Sequence, residues 1–196
     1  MSFIVKPLTL QGQHVKLAPI AMHHVDALFE IGQSKQDWAY LPITAFSQRA
    51  EAEQWVQQAL ALAEQGQHIT FVLIDPTTER LLGSTRYLNI RARDHGLEIG
   101  YTWLAPEAQR TAVNSETKYL LLRHAFESLG AYRVELKTDL RNLRSQRAIE
   151  RLGARKEGIL RRHMVTQGGY IRDSVLYSIV DEDWPAVRAR LEAILA

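Results

Sequence analysis

The chain has 196 residues, 46% hydrophobic and 23% charged, with a formal net charge of +2. That balance suits one globular domain spanning 1–196 with a sizeable core, and the interspersed charge is too mild to point to nucleic acid. There is no cysteine, which excludes disulfides, thiolate metal sites and any covalent intermediate through cysteine sulfur. The first residues lack a signal peptide's long apolar core. No apolar run reaches the roughly 20 residues of a membrane span, so a cytoplasmic protein away from membranes is expected.

Residues 14–19 alternate as a short strand, and 22–31 carry Met22, Val25, Leu28, Phe29 and Ile31 largely along one helical face. Ser47 reads as the N-cap of a helix over 50–64, with Trp55, Val56, Ala59 and Leu60 apolar and Gly66 as its stop. Strands over 68–74, 81–90 and 97–104, joined by the turns DPTTER and RARDHG, form an antiparallel meander. Unbroken alternation on the third puts Leu97, Ile99, Tyr101 and Trp103 on one face, and Glu98, Gly100 and Thr102 on the other.

The strongest helical pattern covers 114–129, with Val113, Leu120, Leu121 and Phe126 inward and Gly130 at its end. A strand over 133–138 follows, parallel to the strand before the helix. Asn142 opens a helix stopped by Gly153. Strands near 155–162 and 170–180 form a hairpin through TQGG, and Asp181 or Asp183 caps a last helix with Pro185 in its first turn.

Three places along this order could carry chemistry. A helix N-terminus offers unpaired N–H groups and a positive dipole end, so the amides from Thr111 to Ser115 could hold a phosphate; the bland alternative is a capped helix entry. Glu98 could act as a base in a cleft, or be an exposed or ion-paired strand residue. Asn142 and Ser145 share one side of a helix start, where capping alone would account for both.

Several other residues invite either a site or a packing role. The seven histidines show no ligand spacing, so no metal is expected. His163, at the end of a hairpin strand, suits either packing or a place near an acceptor. Trp38, Tyr40, Tyr87, Trp103 and Tyr170 could line a groove, although strand aromatics more commonly pack. Between 133 and 162 basic residues outnumber acids, which fits a phosphate-binding surface, an acidic partner or solvated faces equally well.

The segment EIGYTWLAPEAQRTAVNSETKYLLLRHAF, followed by NLRSQRAIERLGA, resembles the GCN5-related N-acetyltransferase (GNAT) superfamily. EIGYTW, LRHAFESLGAYRVELKTD and the RD near the end are similar to its RimJ/RimL branch, and the likeness covers nearly the whole chain. It implies an α/β (α+β) acyl-CoA N-acyltransferase fold, a mixed and mostly antiparallel sheet flanked by helices, with strands 97–104 and 133–138 splaying apart. It further implies acetyl-CoA as donor and direct transfer to a primary amine, either a protein N-terminus of the ribosomal type or a small molecule. It also allows a homodimer.

Residue by residue, the resemblance makes Glu98 the base and Ser145 the group that protonates the departing thiolate. Backbone amides near Trp103 and Leu104 would stabilise the oxyanion, and Asn142 would contact the pantetheine arm. Gln109, Arg110, Thr111, Ala112, Val113 and Asn114 align with a pyrophosphate loop of pattern Q/R-x-x-G-x-G/A, and the coenzyme-binding amides would run on to Ser115. Ala112 and Asn114 replace both glycines. The Ala112 methyl restricts φ and blocks the closest approach of a phosphate, so weakened coenzyme binding is expected. Trp38, Tyr40, Tyr87 and His163 would line the acceptor groove. Two other classes remain open: a coenzyme-binding regulatory or interaction protein that has lost catalysis, and an interaction module that binds no coenzyme.

Overall fold

A computed structural model describes residues 3–196, with side chains throughout except at Asp37. Its strands are β1 (Leu10–Gln11), β2 (Lys16–Pro19), β3 (Ile69–Ile74), β4 (Leu81–Arg91), β5 (Gly96–Leu104), β6 (Arg133–Asp139), β7 (Arg155–Val165) and β8 (Ile171–Val180). The helices are α1 (Val25–Ile31), α2 (Lys35–Trp38), α3 (Arg49–Glu64), α4 (Val113–Arg123), α5 (Leu143–Leu152) and α6 (Trp184–Leu195). The strands form one sheet in the order β1-β2-β3-β4-β5-β6-β8-β7, antiparallel throughout except for the parallel pair β5–β6. This is the mixed, mostly antiparallel architecture the resemblance implies.

The central strands are buried on both faces, which is why β3 reads ITFVLI without a polar face. Alternation divides it: Ile69, Phe71 and Leu73 join a cluster with Leu121 of α4, Tyr177 and Leu191 of α6, while Val72 and Ile74 join Val25, Leu28, Trp38, Trp55 and Val56 from α1–α3. Two apolar layers therefore sandwich the sheet. The buried carboxylate of Glu116 fixes α4 from the far side, accepting the backbone amides of Gln13, His14 and Val15 at 2.8, 2.6 and 2.8 Å.

Several boundaries differ from the sequence expectation. The α3 N-cap is Gln48, because Ser47 instead gives its N–H to Glu51 at 2.7 Å. The long helix expected to Leu129 changes pitch at His124 and ends as a π-turn over His124–Ser128, with Gly130 in the left-handed region. β1 and α2 are too short to leave a periodic signal.

The largest correction lies in β5. Ser84 faces Trp103 and Arg86 faces Gly100, so Tyr101 and Thr102 together stand opposite the single residue Thr85. Tyr101 has φ 50°, a left-handed conformation. This bulge inverts the alternation beyond it. Leu97 and Ile99 stay in the α4-side layer, but Trp103 enters the α1–α3 layer, and Thr102 meets Lys118 of α4.

Candidate active site

The β5–β6 ladder covers only Gly96–Glu98 against Arg133–Glu135. Beyond it the strands part, and the gap opens into a cavity of about 790 Å³. β5 contributes Glu98 to Leu104, and β6 contributes Leu136 to Thr138. The entry of α4, the start of α5, the Tyr40–Pro42 segment and the β7–β8 hairpin complete the wall. The bulge at Tyr101 interrupts the β4–β5 ladder along the same stretch of β5 that lines the gap.

Glu98 is 5% exposed and lies on the wall of this cavity. Its carboxylate accepts a bond from Asn89 Nδ2 at 2.6 Å and pairs with Lys137 Nζ at 2.8 Å. Sequence reading weighed an ion-paired state for Glu98 but overlooked Lys137. A signal existed: parallel register sets Glu98 against Glu135, and two neighbouring carboxylates require cations. Arg91 and Arg133 serve Glu135 at 3.0 and 3.1 Å, which leaves Lys137 for Glu98.

Lys118 was also overlooked. It is buried, lines the cavity and donates to Thr102 Oγ1 at 2.7 Å. Burial without a carboxylate partner pushes its ammonium down to about 7. Standing four residues after Asn114, it extends the same helix face into the cavity.

At the α4 entry, Gln109, Arg110, Thr111 and Asn114 line the cavity. The turn is tied by Gln109 Nε2 donating to the Leu104 carbonyl at 3.1 Å and by Thr111 Oγ1 donating to the Ala108 carbonyl at 2.8 Å. Ala112 has φ −66°, which any residue adopts; the left-handed residue is Arg110, at φ 63°. The backbone restriction expected at Ala112 is therefore absent. Ala112, Val113 and Ser115 lie outside the cavity wall: Val113 packs in the core, and Ser115 accepts Arg151 Nη2 at 3.2 Å.

Asn142 and Ser145 both reach the wall. Asn142 Oδ1 caps α5 by accepting the Ser145 amide at 3.0 Å. Arg110, Arg144, Arg147 and Arg151 also line this end, giving it a concentrated positive charge. Arg144 donates to Gln109 Oε1 at 3.0 Å, which joins α5 to the α4 entry.

Of the aromatic candidates, Tyr40 and Trp103 line the cavity. Trp38 and Tyr87 do not, because both are wholly buried in the two core layers. Trp38 packs on Trp103 at 4.8 Å between ring centres, and Tyr87 donates its hydroxyl to the Leu121 carbonyl at 2.6 Å, anchoring α4. Tyr170 lies outside the wall beneath Arg141, whose guanidinium is 3.6 Å from its ring centre. Gln167, in the hairpin tip, donates through Nε2 to the carbonyls of Trp38 and Leu41 at 2.7 and 3.0 Å. That contact closes the cavity end beside Tyr40.

His163 lines the same end, with Nδ1 2.9 Å from Ser174 Oγ. Burial, followed by the charges of Lys137 and Arg172, holds its imidazole below the ordinary value, and Glu98 opposes them. Among the described residues no cluster of His, Asp and Glu is arranged to hold a metal ion, and no helix is long and apolar enough to cross a membrane.

The cavity thus has a phosphate-compatible basic end, a split between parallel strands, and a second end with a carboxylate, an imidazole and aromatic walls. The acetyltransferase (GNAT) domain family model matches residues 14–155. The uncharacterized N-acetyltransferase p20 of Bacillus licheniformis is 26% identical over 176 residues, covering 90% of this chain and 98% of that protein. The crystal structure of a GCN5-related N-acetyltransferase from Brucella melitensis superposes with a TM-score of 0.92 at 31% identity, covering 98% of this chain and 87% of that one. Mycobacterium smegmatis RimJ in complex with CoA-disulfide shares the fold, with a TM-score of 0.82 at 23% identity over 96% of this chain and 95% of that one. The chain belongs to the GNAT acetyltransferase family and is an N-acetyltransferase.

Proposed function

We propose that the donor is acetyl-CoA and that the acetyl group passes directly to a primary amine held at the His163 end. The observation that carries this reading is the β5–β6 split continuing into the α4 entry, flanked by four cavity-lining arginines. CoA-disulfide bound to RimJ of M. smegmatis supports the choice of donor. The residues present fit such a donor: Thr111 and Asn114 lie on the wall at the α4 entry, and the arginines supply charge for phosphates.

Bound acetyl-CoA supplies an activated thioester. The remaining work falls to the chain. Arg110, Arg144, Arg147 and Arg151 hold the phosphates, and Asn142 and Ser145 flank the pantetheine arm. Backbone amides of Thr102 to Leu104, on the cavity-lining stretch of β5 beyond its pairing with β6, stabilise the carbonyl oxygen as it becomes negative. Glu98 draws the proton from the incoming ammonium through water, because its carboxylate is already engaged by Asn89 and Lys137. Ser145 gives its hydroxyl proton to the departing sulfur and regains one from solvent water. Cysteine takes no part, consistent with direct transfer.

The acceptor is a protein N-terminal amine or a small-molecule amine. The rival is a coenzyme-binding protein that has lost turnover, and the ordinary φ of Ala112 removes the backbone part of the case for it. Titration calorimetry with acetyl-CoA and desulfo-CoA, followed by an amine panel, tests the proposal. Micromolar binding with turnover is expected, and Glu98→Gln should lower kcat by about 10²-fold or more while leaving acetyl-CoA affinity within about twofold. Absence of coenzyme binding would end the proposal, and binding without turnover on any amine would favour the rival.

A further inference from the structure

A buried cation behind the acceptor end of the cavity has no counter-ion among the described residues. Arg86, on β4 opposite Gly100, is only 4% exposed. Its guanidinium lies between two rings, 4.9 Å from the centre of Trp55 and 4.8 Å from that of Tyr101, and its Nε has no hydrogen-bond partner. Among the described residues no carboxylate lies within ion-pair distance of it. Burial holds its basicity down to about 10, so it remains a cation at neutral pH.

The surroundings repeat the same imbalance. The indole N–H groups of Trp38, Trp55 and Trp103 are buried without acceptors, and so is Nδ1 of His68. Burial, followed by the charge of Arg86, holds the His68 imidazole below its ordinary value. Tyr101, Trp103 and His68 all line the cavity. Tyr101, whose ring packs on the Arg86 guanidinium, therefore stands between that cation and the cavity, beside the unpaired indole N–H of Trp103. A buried cation ordinarily has an anion beside it, since leaving it unpaired costs several kcal/mol.

The geometry points to an acceptor that carries its own anion: the amine substrate is a small amino carboxylate, and its carboxylate docks on the Tyr101–His68 wall in front of Arg86 while its amine faces Glu98. Cation–π contacts with Trp55 and Tyr101 keep the guanidinium in place when the site is empty. The substrate's negative charge then supplies the missing partner. Selectivity follows from the donors, because a decarboxylated analogue would leave them unmatched. The inference rests on the acetyltransferase reading of the cavity and deepens it by naming the acceptor class.

The test compares amino carboxylates with their decarboxylated amines and with neutral peptide N-termini, using acetyl-CoA turnover by the full chain. Carboxylate-bearing amines should show kcat/KM at least about 10-fold above their decarboxylated partners. Arg86→Met should erase that ratio and Arg86→Lys should retain part of it, with acetyl-CoA affinity unchanged in both. Tryptophan fluorescence gives a readout independent of turnover, since an amino carboxylate bound in front of Arg86 lies beside Trp55 and Trp103. Equal turnover of both amine sets, or a preference for neutral peptide N-termini, would overturn the inference while leaving the acetyltransferase reading intact. Failure to bind acetyl-CoA at all would overturn both. If Arg86→Met does not fold, the comparison of substrates on the unaltered protein decides the matter.

Discussion

At the scale of single residues, the lysine at 118 illustrates how burial creates chemistry that no motif announces. Its ammonium is held at about 7 against an ordinary 10.5, by desolvation. A cation whose folded value is depressed opposes folding at low pH. Between about 7 and 10.5 the unfolded chain binds the extra proton, so stability rises with pH through that window. Lys118→Met should therefore be more stable than the parent at pH 6, by at least about 1.4 kcal/mol, the worth of one pKa unit, with the difference narrowing toward pH 10. Thermal melts across that range check it, and a difference independent of pH would mean that Lys118 keeps its ordinary basicity. The pairing of Glu98 with Lys137 belongs to the same scale. Lys137→Met should cost roughly 3–5 kcal/mol by stranding a buried carboxylate, and Lys137→Met combined with Glu98→Gln should recover part of it in denaturant titrations.

At the scale of elements, the α4 entry separates two effects that the sequence alone ran together. The likeness to a glycine-bearing loop suggested strain at Ala112, but the turn places its one left-handed residue at Arg110. Ala112→Gly should leave acetyl-CoA affinity within about twofold and lower stability by about 0.5–1 kcal/mol, because glycine adds freedom to the unfolded chain without relieving strain. Arg110→Gly should act oppositely on the two readouts: it removes a strained conformation, raising stability by about 1 kcal/mol, while it weakens coenzyme binding by removing a cavity-lining cation. Calorimetry and melts on the two variants distinguish the loop's conformation from its charge. The β5 bulge makes the same point for strands: one inserted residue at Tyr101 sends Trp103 and Thr102 to faces that period-two counting assigns wrongly.

At the scale of the whole molecule, the cavity's two ends are built by different parts of the fold. The basic end is local, made from the α4 entry and α5, close in sequence to β5 and β6. The acceptor end joins segments more than 120 residues apart, where Gln167 of the β7–β8 hairpin holds the backbone near Trp38 and Leu41. Gln167→Ala should raise the acceptor KM several-fold and speed proteolysis near residue 40, with acetyl-CoA affinity unchanged. A parallel change in both substrates would show that the hairpin supports the cavity as a whole.

The elements that position the site were legible from periodicity, caps and turns: the β3–β5 meander, the parallel return to β6, the α5 start at Asn142 and the closing hairpin. These signals are local, set by the pitch of a helix, the alternation of a strand and the conformational freedom of glycine. The motif around 98–126 carried the family because its order of strand, turn and helix is itself local. What only the tertiary structure decided was which charges meet. Glu98 finds Lys137 through parallel register, Lys118 becomes less basic through burial, Arg86 stands behind Tyr101 without an anion among the described residues, and Trp38 and Tyr87 turn into core rather than groove. Each of these depends on desolvation and on contacts between distant segments, quantities that arise only when the layers close over the sheet.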